Sequence, residues 1–287
     1  MKILLGDNQF FGVNHADLKK ASATQKMFSS AKKITRFIDD SLEIGLDGFM
    51  INSNDLGYRV VQDYQFESKA DKECHYSIPY PHKYAAMVNE SGMLTLLSFV
   101  LKNIRLSDIT NVLKFIFSSN AAFLLPIIVR LETPKNLPKG SVIYLQNVIT
   151  DLLMGLKNGS RIIESYITAV ERMGYKAGII TVNLRRFREN LEKFTGHNDI
   201  YVCFNINKTG FNVFPSVQKV ENEIEYIKAN TKWKLVGMSI FSSGSSRVTI
   251  QESIHFIKSQ QLDYVVFGTS KLKNVKANLN LLKSENS

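Results

Sequence analysis

Short apolar runs rich in β-branched residues recur along the chain. Each is followed by a longer stretch of helical period, and such alternation builds a parallel sheet covered by helices. Eight runs read as strands: Ile3 to Leu5, Gly48 to Ile51, His75 to Pro79, Val142 to Leu145, Ala177 to Val182, Tyr201 to Asn205, Leu235 to Ile240 and Tyr264 to Phe267. Helical stretches lie between them at Ser30 to Ile44, Ile162 to Met173, Arg185 to Phe194, Ser216 to Asn230, Ile250 to Gln260 and Leu272 to Leu282. Val217, Val220, Ile224 and Ile227 fall three or four apart, which gives one buried face. Eight such units in 287 residues fit an α/β fold of the closed (β/α)₈ barrel type. No Pro-, Gly- or Ser-rich linker divides the chain, so a single domain over 1–287 is expected. The alternative, a doubly wound open sheet, wants a glycine-rich turn after the first strand. Gly6 and Gly12 do not supply one.

The segment from Met87 to Pro138 exceeds what one helix between the third and fourth strands requires. It reads as a helical insertion: Lys83 to Leu101, Ser107 to Phe117 with Ser107 as an N-cap, and Ala121 to Leu131. A strand at Ile127 to Arg130 is the other reading. Being apolar, the insertion is expected to pack on the barrel or to form a homodimer contact.

Lys and Arg number 36 against 26 Asp and Glu, a formal charge of +10. The basic residues are scattered singly or in pairs such as Lys19-Lys20, Lys32-Lys33 and Arg185-Arg186, which reads as a solvated surface. A nucleic-acid enzyme would need them to converge on one face. Cys74 and Cys203 lie far apart without metal or redox spacing, and no His, Cys and carboxylate cluster has the spacing of a zinc site. The first apolar stretch, Ile3 to Gly6, is too short for a signal core, and the run Ala121 to Val129 is about half a membrane span. The expectation is a cytoplasmic protein with a small-molecule ligand and no membrane partner.

In such a barrel the active site lies at the carboxyl ends of the strands. Those ends carry Asp7 and Asn8, Asn52, His82 and Lys83, Asn147, Asn183, Asn205, Ser242, then Thr269 and Ser270. One reading is that Asn, Asp and Ser are ordinary turn residues. The other is that Asn8, Asn52, Asn147, Asn183 and Asn205 converge on one mouth, where a ring of amides suits a neutral, hydroxyl-rich ligand. Lys83 could protonate a carbonyl, form a Schiff base or bind phosphate; its alternative is a solvated lysine at a helix start. His15 and His82 are acid or base candidates, and Asp7 could orient His15 or bind a hydroxyl. Ser242 to Gly244 and Gly268 to Lys271 offer backbone N–H groups and a helix start to an anion.

The order of motifs resembles the aldo-keto reductase barrel, a family of nicotinamide-dependent carbonyl reductases. Leu5-Gly6-Asp7-Asn8-Gln9-Phe10-Phe11-Gly12 is similar to that family's first strand. Leu42-Glu43-Ile44-Gly45-Leu46-Asp47-Gly48-Phe49 is similar to its second helix and strand. Gly178-Ile179-Ile180-Thr181-Val182-Asn183 resembles the fifth strand, where a Ser-Asn pair holds the nicotinamide. Gly268-Thr269-Ser270-Lys271 with Asn278 resembles the last strand and helix, which bind the cofactor's adenosine phosphate. The resemblance implies NADP, with Ser242, Gly244, Gly268, Thr269, Ser270, Lys271 and Asn278 as its site.

The family's catalytic tetrad is not preserved. Its Asp falls at Ile51, its Tyr at Leu56 and its His at Asn147, and Lys83 can match its Lys only if the third strand is shifted. The hydride reaction then loses its general acid. Two functions stay open: an enzyme acting on a hydroxyl-rich, phosphorylated small molecule, with or without NADP, or a non-catalytic barrel that binds a ligand or partner. An open mouth lined by polar groups favours the first. A mouth filled by Phe10, Phe11 or Tyr80 favours the second.

Overall fold

The computed structural model describes residues 1–12, 24–79, 105, 108–118, 125–196, 198–244 and 247–284. Eight parallel strands form one closed barrel in sequence order: β1 (Lys2–Leu5), β2 (Gly48–Asn52), β3 (Glu73–Ile78), β4 (Val142–Leu145), β5 (Lys176–Ile180), β6 (Tyr201–Asn205), β7 (Lys234–Met238) and β8 (Tyr264–Phe267). Closure comes from β8 against β1, where Ile3 pairs with Val265 and Leu5 with Phe267. The open sheet is thereby excluded.

Every strand is buried on both faces, and successive side chains alternate between them. Leu4, Met50, Val142, Tyr144, Ile180, Cys203, Val236 and Val266 pack together inside the barrel. Their neighbours Ile3, Leu5, Phe49, Ile51, Tyr76, Ile143, Leu145, Val202 and Val265 face the helical layer. Inside, the Tyr144 ring lies over β5 at Gly178, where a Cβ would come within 2.5 Å of it. His75, fully buried, sits 2.9 Å from the Tyr144 hydroxyl through Nδ1 and 3.2 Å from Glu73 Oε2 through Nε2. Glu73 needs a donor, so Nε2 carries the proton and Nδ1 accepts from Tyr144.

The helices are α1 (Ala31–Ile44), α2 (Asp55–Asp63), α3 (Ile109–Ser118), α4 (Leu125–Glu132), α5 (Asn147–Leu153), α6 (Gly159–Arg172), α7 (Leu184–Thr195), α8 (Val217–Asn230), α9 (Ile250–Ser259) and α10 (Leu272–Lys283). Their ends follow the side chains. Ser30 and Ser216 cap α1 and α8 by accepting from Lys33 N and Lys219 N. Thr249 and Glu252 form a reciprocal capping box on α9. Gly45, at φ 116°, ends α1 in the left-handed region that favours glycine.

Several boundaries differ from the sequence reading. β3 starts two residues earlier than expected and ends at Ile78, because Gly48 and Phe49 pair with Glu73 and Cys74. β5 stops at Ile180, where Asp151 takes over the following hydroxyl and N–H of Thr181 and Val182. α2 and α5 were not anticipated. In the insertion, the segment read either as the end of a helix or as a strand at Ile127 to Arg130 is helix α4. Pro126 sits in its first turn, where a missing N–H costs nothing. The expected helices at Lys83 to Leu101 and before Leu125 lie outside the described residues, as does Ser107. Among the described residues, no helix is long and apolar enough to cross a membrane.

Candidate functional site

Strand alternation decides which residues look into the carboxyl-terminal mouth. Two positions beyond Met50, His75, Tyr144 and Cys203 come Asn52, Ser77, Gln146 and Asn205, so these four continue the inward rows. Asn52 pairs with Ser77 across β2 and β3. Gln146 extends the ladder by donating its N–H to Ile78 O at 3.0 Å, and its side-chain amide reaches Ser77 Oγ at 3.4 Å. Asn205 Oδ1 accepts from Ser239 Oγ at 2.6 Å. Ser239 holds that position with φ 61°, a left-handed backbone uncommon outside glycine. Ile180 and Met238, on the same inward rows, add apolar surface.

Asp7 follows β1 and leans across to β2. Its Oδ2 accepts from Asn52 N at 2.8 Å and from Asn52 Nδ2 at 2.6 Å. Burial pushes its carboxyl up from 3.8 to about 6, although the Asn52 hydrogen bonds pull the other way. A carboxyl poised there exchanges protons near neutrality. Behind it, Ser53 donates to the buried Glu132 of α4 at 2.7 Å, which anchors the end of β2.

The other expected residues are placed differently. Asn147 is one residue past Gln146, off the inward row, and opens α5. The side-chain oxygen of Asn183 accepts from Arg186 N at 3.1 Å and so caps α7. Asn8 is exposed at the start of the short 3₁₀ turn Asn8–Phe11. The structure therefore brings Asn52 and Asn205 to the mouth with Ser77 and Gln146, and leaves Asn147, Asn183 and Asn8 outside that ring.

Of the phosphate candidates, Ser242 is buried with its hydroxyl 2.7 Å from Thr209 Oγ1. The N–H groups of Ser242 and Gly244 already donate to Ser239 O and Phe241 O. That turn thus spends two of the donors expected to face an anion. At the last strand, Gly268 is exposed, and Thr269 Oγ1 accepts from Lys271 N and Asn274 Nδ2 at 3.4 and 3.3 Å. Lys271 stands at the N-cap of α10 without a side-chain cap, and Lys271 and Lys273 are exposed. Ser270 and Asn278 are half-buried nearby, Asn278 on the second turn of α10. The start of α10 therefore presents a helix end and two lysines to solvent.

Lys83, His82 and His15 lie outside the described residues, as does Tyr80. β3 ends at Ile78, five residues before Lys83, and is not shifted toward it. Phe10 is buried in an edge-to-face cluster with Phe28 and Phe37 on the flank, and Phe11 packs on the same outer core. Neither ring plugs the mouth. Among the described residues no group of three or more His, Cys, Asp or Glu could hold a metal.

Among the described residues, the groups at the levels of the family's nicotinamide contacts and tetrad are engaged elsewhere or do not titrate near neutrality. At the end of β5, where the family's Ser-Asn pair would fall, Val182 donates its N–H and Thr181 its hydroxyl to Asp151, and the Asn183 oxygen caps α7. At the ends of β3 and β4, the levels of the tetrad's Lys and His, the inward residues are Ser77 and Gln146, neither of which titrates near neutrality.

No family model matches the chain, and no curated protein matches its sequence. Among solved structures it is similar to an aldo-keto reductase from Bacillus halodurans in its holo form, with a TM-score of 0.58 at 10% identity over 99% of this chain and 87% of that one. Two structures from Pseudomonas aeruginosa assigned as aldo-keto reductases are similar at a TM-score of 0.51, with 14% and 12% identity over 98% of this chain and 88% of theirs. The fold is an aldo-keto-reductase-like (β/α)₈ barrel. Identities this low carry the architecture and leave the reaction to the site.

Proposed function

We propose that the barrel is an enzyme binding a hydroxyl-rich, phosphorylated small molecule across its carboxyl-terminal mouth, with Asp7 as an acid–base group. The observation that carries this reading is the inward set Asn52, Ser77, Gln146 and Asn205, uncharged donors and acceptors beside a carboxyl held near 6. Such groups satisfy hydroxyls without imposing charge, while the exposed start of α10 with Lys271 and Lys273 supplies the complement to a phosphate. Proton transfer at a hydroxyl, or at the carbon next to a carbonyl, is the chemistry these residues support. Lys83, His82 and His15 remain candidates to share the proton work, on sequence grounds alone.

The test is thermal stability of the full chain against a panel of pentose and hexose phosphates and the matching unphosphorylated sugars. A ligand that binds the folded state raises the melting temperature through mass action. The sugar phosphates are expected to do so, and Ser270→Ala with Lys271→Ala to weaken the effect. Equal stabilisation in that variant and the parent places the anion elsewhere. No stabilisation by any phosphate compound favours the non-catalytic barrel.

A further inference from the structure

At the opposite end of the barrel a cleft of about 1220 Å³ opens over Glu73, Val142 and Lys176, which begin three adjacent strands, β3, β4 and β5. One wall is the end of α2 with the segment after it, residues 62–72, and the other is the segment 135–141 that follows α4. Asn136 ties the walls together by donating its side-chain N–H to Tyr64 O.

Among the described residues the lining carries five lysines, Lys69, Lys72, Lys135, Lys139 and Lys176, against three carboxylates, and no arginine. Three of the lysines are partly committed: Lys69 to Glu43 at 3.4 Å, Lys72 to Asp71 at 3.2 Å and Lys139 to Met173 O at 2.7 Å. The side chains of Lys135 and Lys176 are exposed and make no hydrogen bond or ion pair with the described residues, the Lys176 ammonium lying 5.8 Å from the centre of the Tyr201 ring. Glu73, one of the three carboxylates, is already shared by Lys2 and His75, so it offers little to offset the cations.

We propose that this cleft is a binding site for a small ligand bearing two or more linked phosphates, distinct from the mouth. Three features support that chemistry. Ammonium groups are compact charges with rotatable donors and suit tetrahedral oxyanions, whereas planar carboxylate recognition calls for the arginine fork that is missing here. The lysines come from both walls and from the floor, so they surround an anion instead of lining one edge. The volume exceeds what one phosphate needs and lies just above the range usual for small-ligand pockets, so it leaves room for several linked phosphates. Because catalysis in such barrels belongs to the other end, the occupant is an effector and not the substrate.

Calorimetric titration of the full chain with sodium tripolyphosphate at near-physiological salt tests this. Saturable binding is expected in the parent and in Ser270→Ala with Lys271→Ala. Lys135→Gln with Lys176→Gln should weaken it about tenfold or more without moving the melting temperature, since both side chains are exposed. Unchanged affinity in the Lys135 and Lys176 variant, or no binding to the parent, overturns the proposal. Loss confined to the Ser270 and Lys271 variant also overturns it and assigns the anion to the mouth, which leaves the proposed function standing. Binding of a short oligothymidylate but not of tripolyphosphate contradicts it too, because the surface would then require a polymer.

Discussion

Asp7 is held in a form that works against stability. Its carboxyl titrates at about 6 in the folded chain against 3.8 ordinarily, so folding favours the protonated acid. The cost of ionising it is absent at low pH, builds as pH rises from 3.8 through 6, and is fully present above. Asp7→Asn keeps an oxygen that can accept from Asn52 and removes that cost. The variant is therefore expected to melt roughly 2–4 °C higher than the parent at pH 8 and at the same temperature near pH 3.5, as read by calorimetry. A variant less stable than the parent at pH 8 would show the carboxylate to be a tie between β1 and β2 and nothing more.

Glu73 and His75 act in the reverse sense. Burial alone would raise the Glu73 carboxyl, but hydrogen bonds from His75 and Lys2 outweigh it and bring it from 4.5 down to about 2. Its contribution is present above about 4.5 and is lost as pH falls toward 2. Burial also lowers the pKa of His75. The unfolded chain therefore takes up a proton that the folded one refuses as pH drops below about 6.5. Glu73→Gln should cost roughly 1–2 kcal/mol at pH 7, and the gap to the parent should narrow as pH approaches 2. A gap that does not change with pH would exclude the ion pair as its source.

Among the elements, α7 offers a separation of roles that its sequence conceals. Asn183 is an amide at a strand end, the pattern expected of a ligand contact, yet its oxygen caps the helix. Asn183→Ala is expected to cost about 1 kcal/mol of stability, measured by denaturant unfolding, and to leave ligand affinity at the mouth unchanged. The same ambiguity explains how far the site was legible. Eight strands and their order could be read because β-branched runs alternate with helical periods, and four candidate strands agree with the structure at their carboxyl ends. Which end residues point inward could not be read. A strand buried on both faces has no polar alternation to fix its phase, so Val142 to Leu145 gives no sign that Gln146 and not Asn147 continues the inward row. The clue lay in pairing: Tyr144 fills the space that Gly178 leaves on the next strand, and that contact sets the phase of β4. Ser77 is hidden in the sequence for the same reason. α2 is hard to read because Asn54 and Asp55, directly after a strand, look like polar strand-end residues, although Asn54 accepts from Gly57 N and starts the helix.

At the scale of the whole molecule, one barrel presents two distinct polar ends. The carboxyl-terminal mouth has a polar inward ring that contacts Asp7, and the amino-terminal end has a lysine-lined cleft. The scattered basic residues of the sequence are thus partly gathered by the fold, with five of them in one cleft. The measurement that bears most directly on the mouth is saturation-transfer NMR on hexose and pentose phosphates with the parent chain, with Gln146→Ala and Asn205→Ala together, and with Asn147→Ala. Saturation of the sugar protons is expected with the parent and with Asn147→Ala, and its loss with the Gln146 and Asn205 variant, all three chains melting within a few degrees of one another. No saturation with the parent, or equal saturation with the Gln146 and Asn205 variant, would contradict the claim that these inward residues form the binding site.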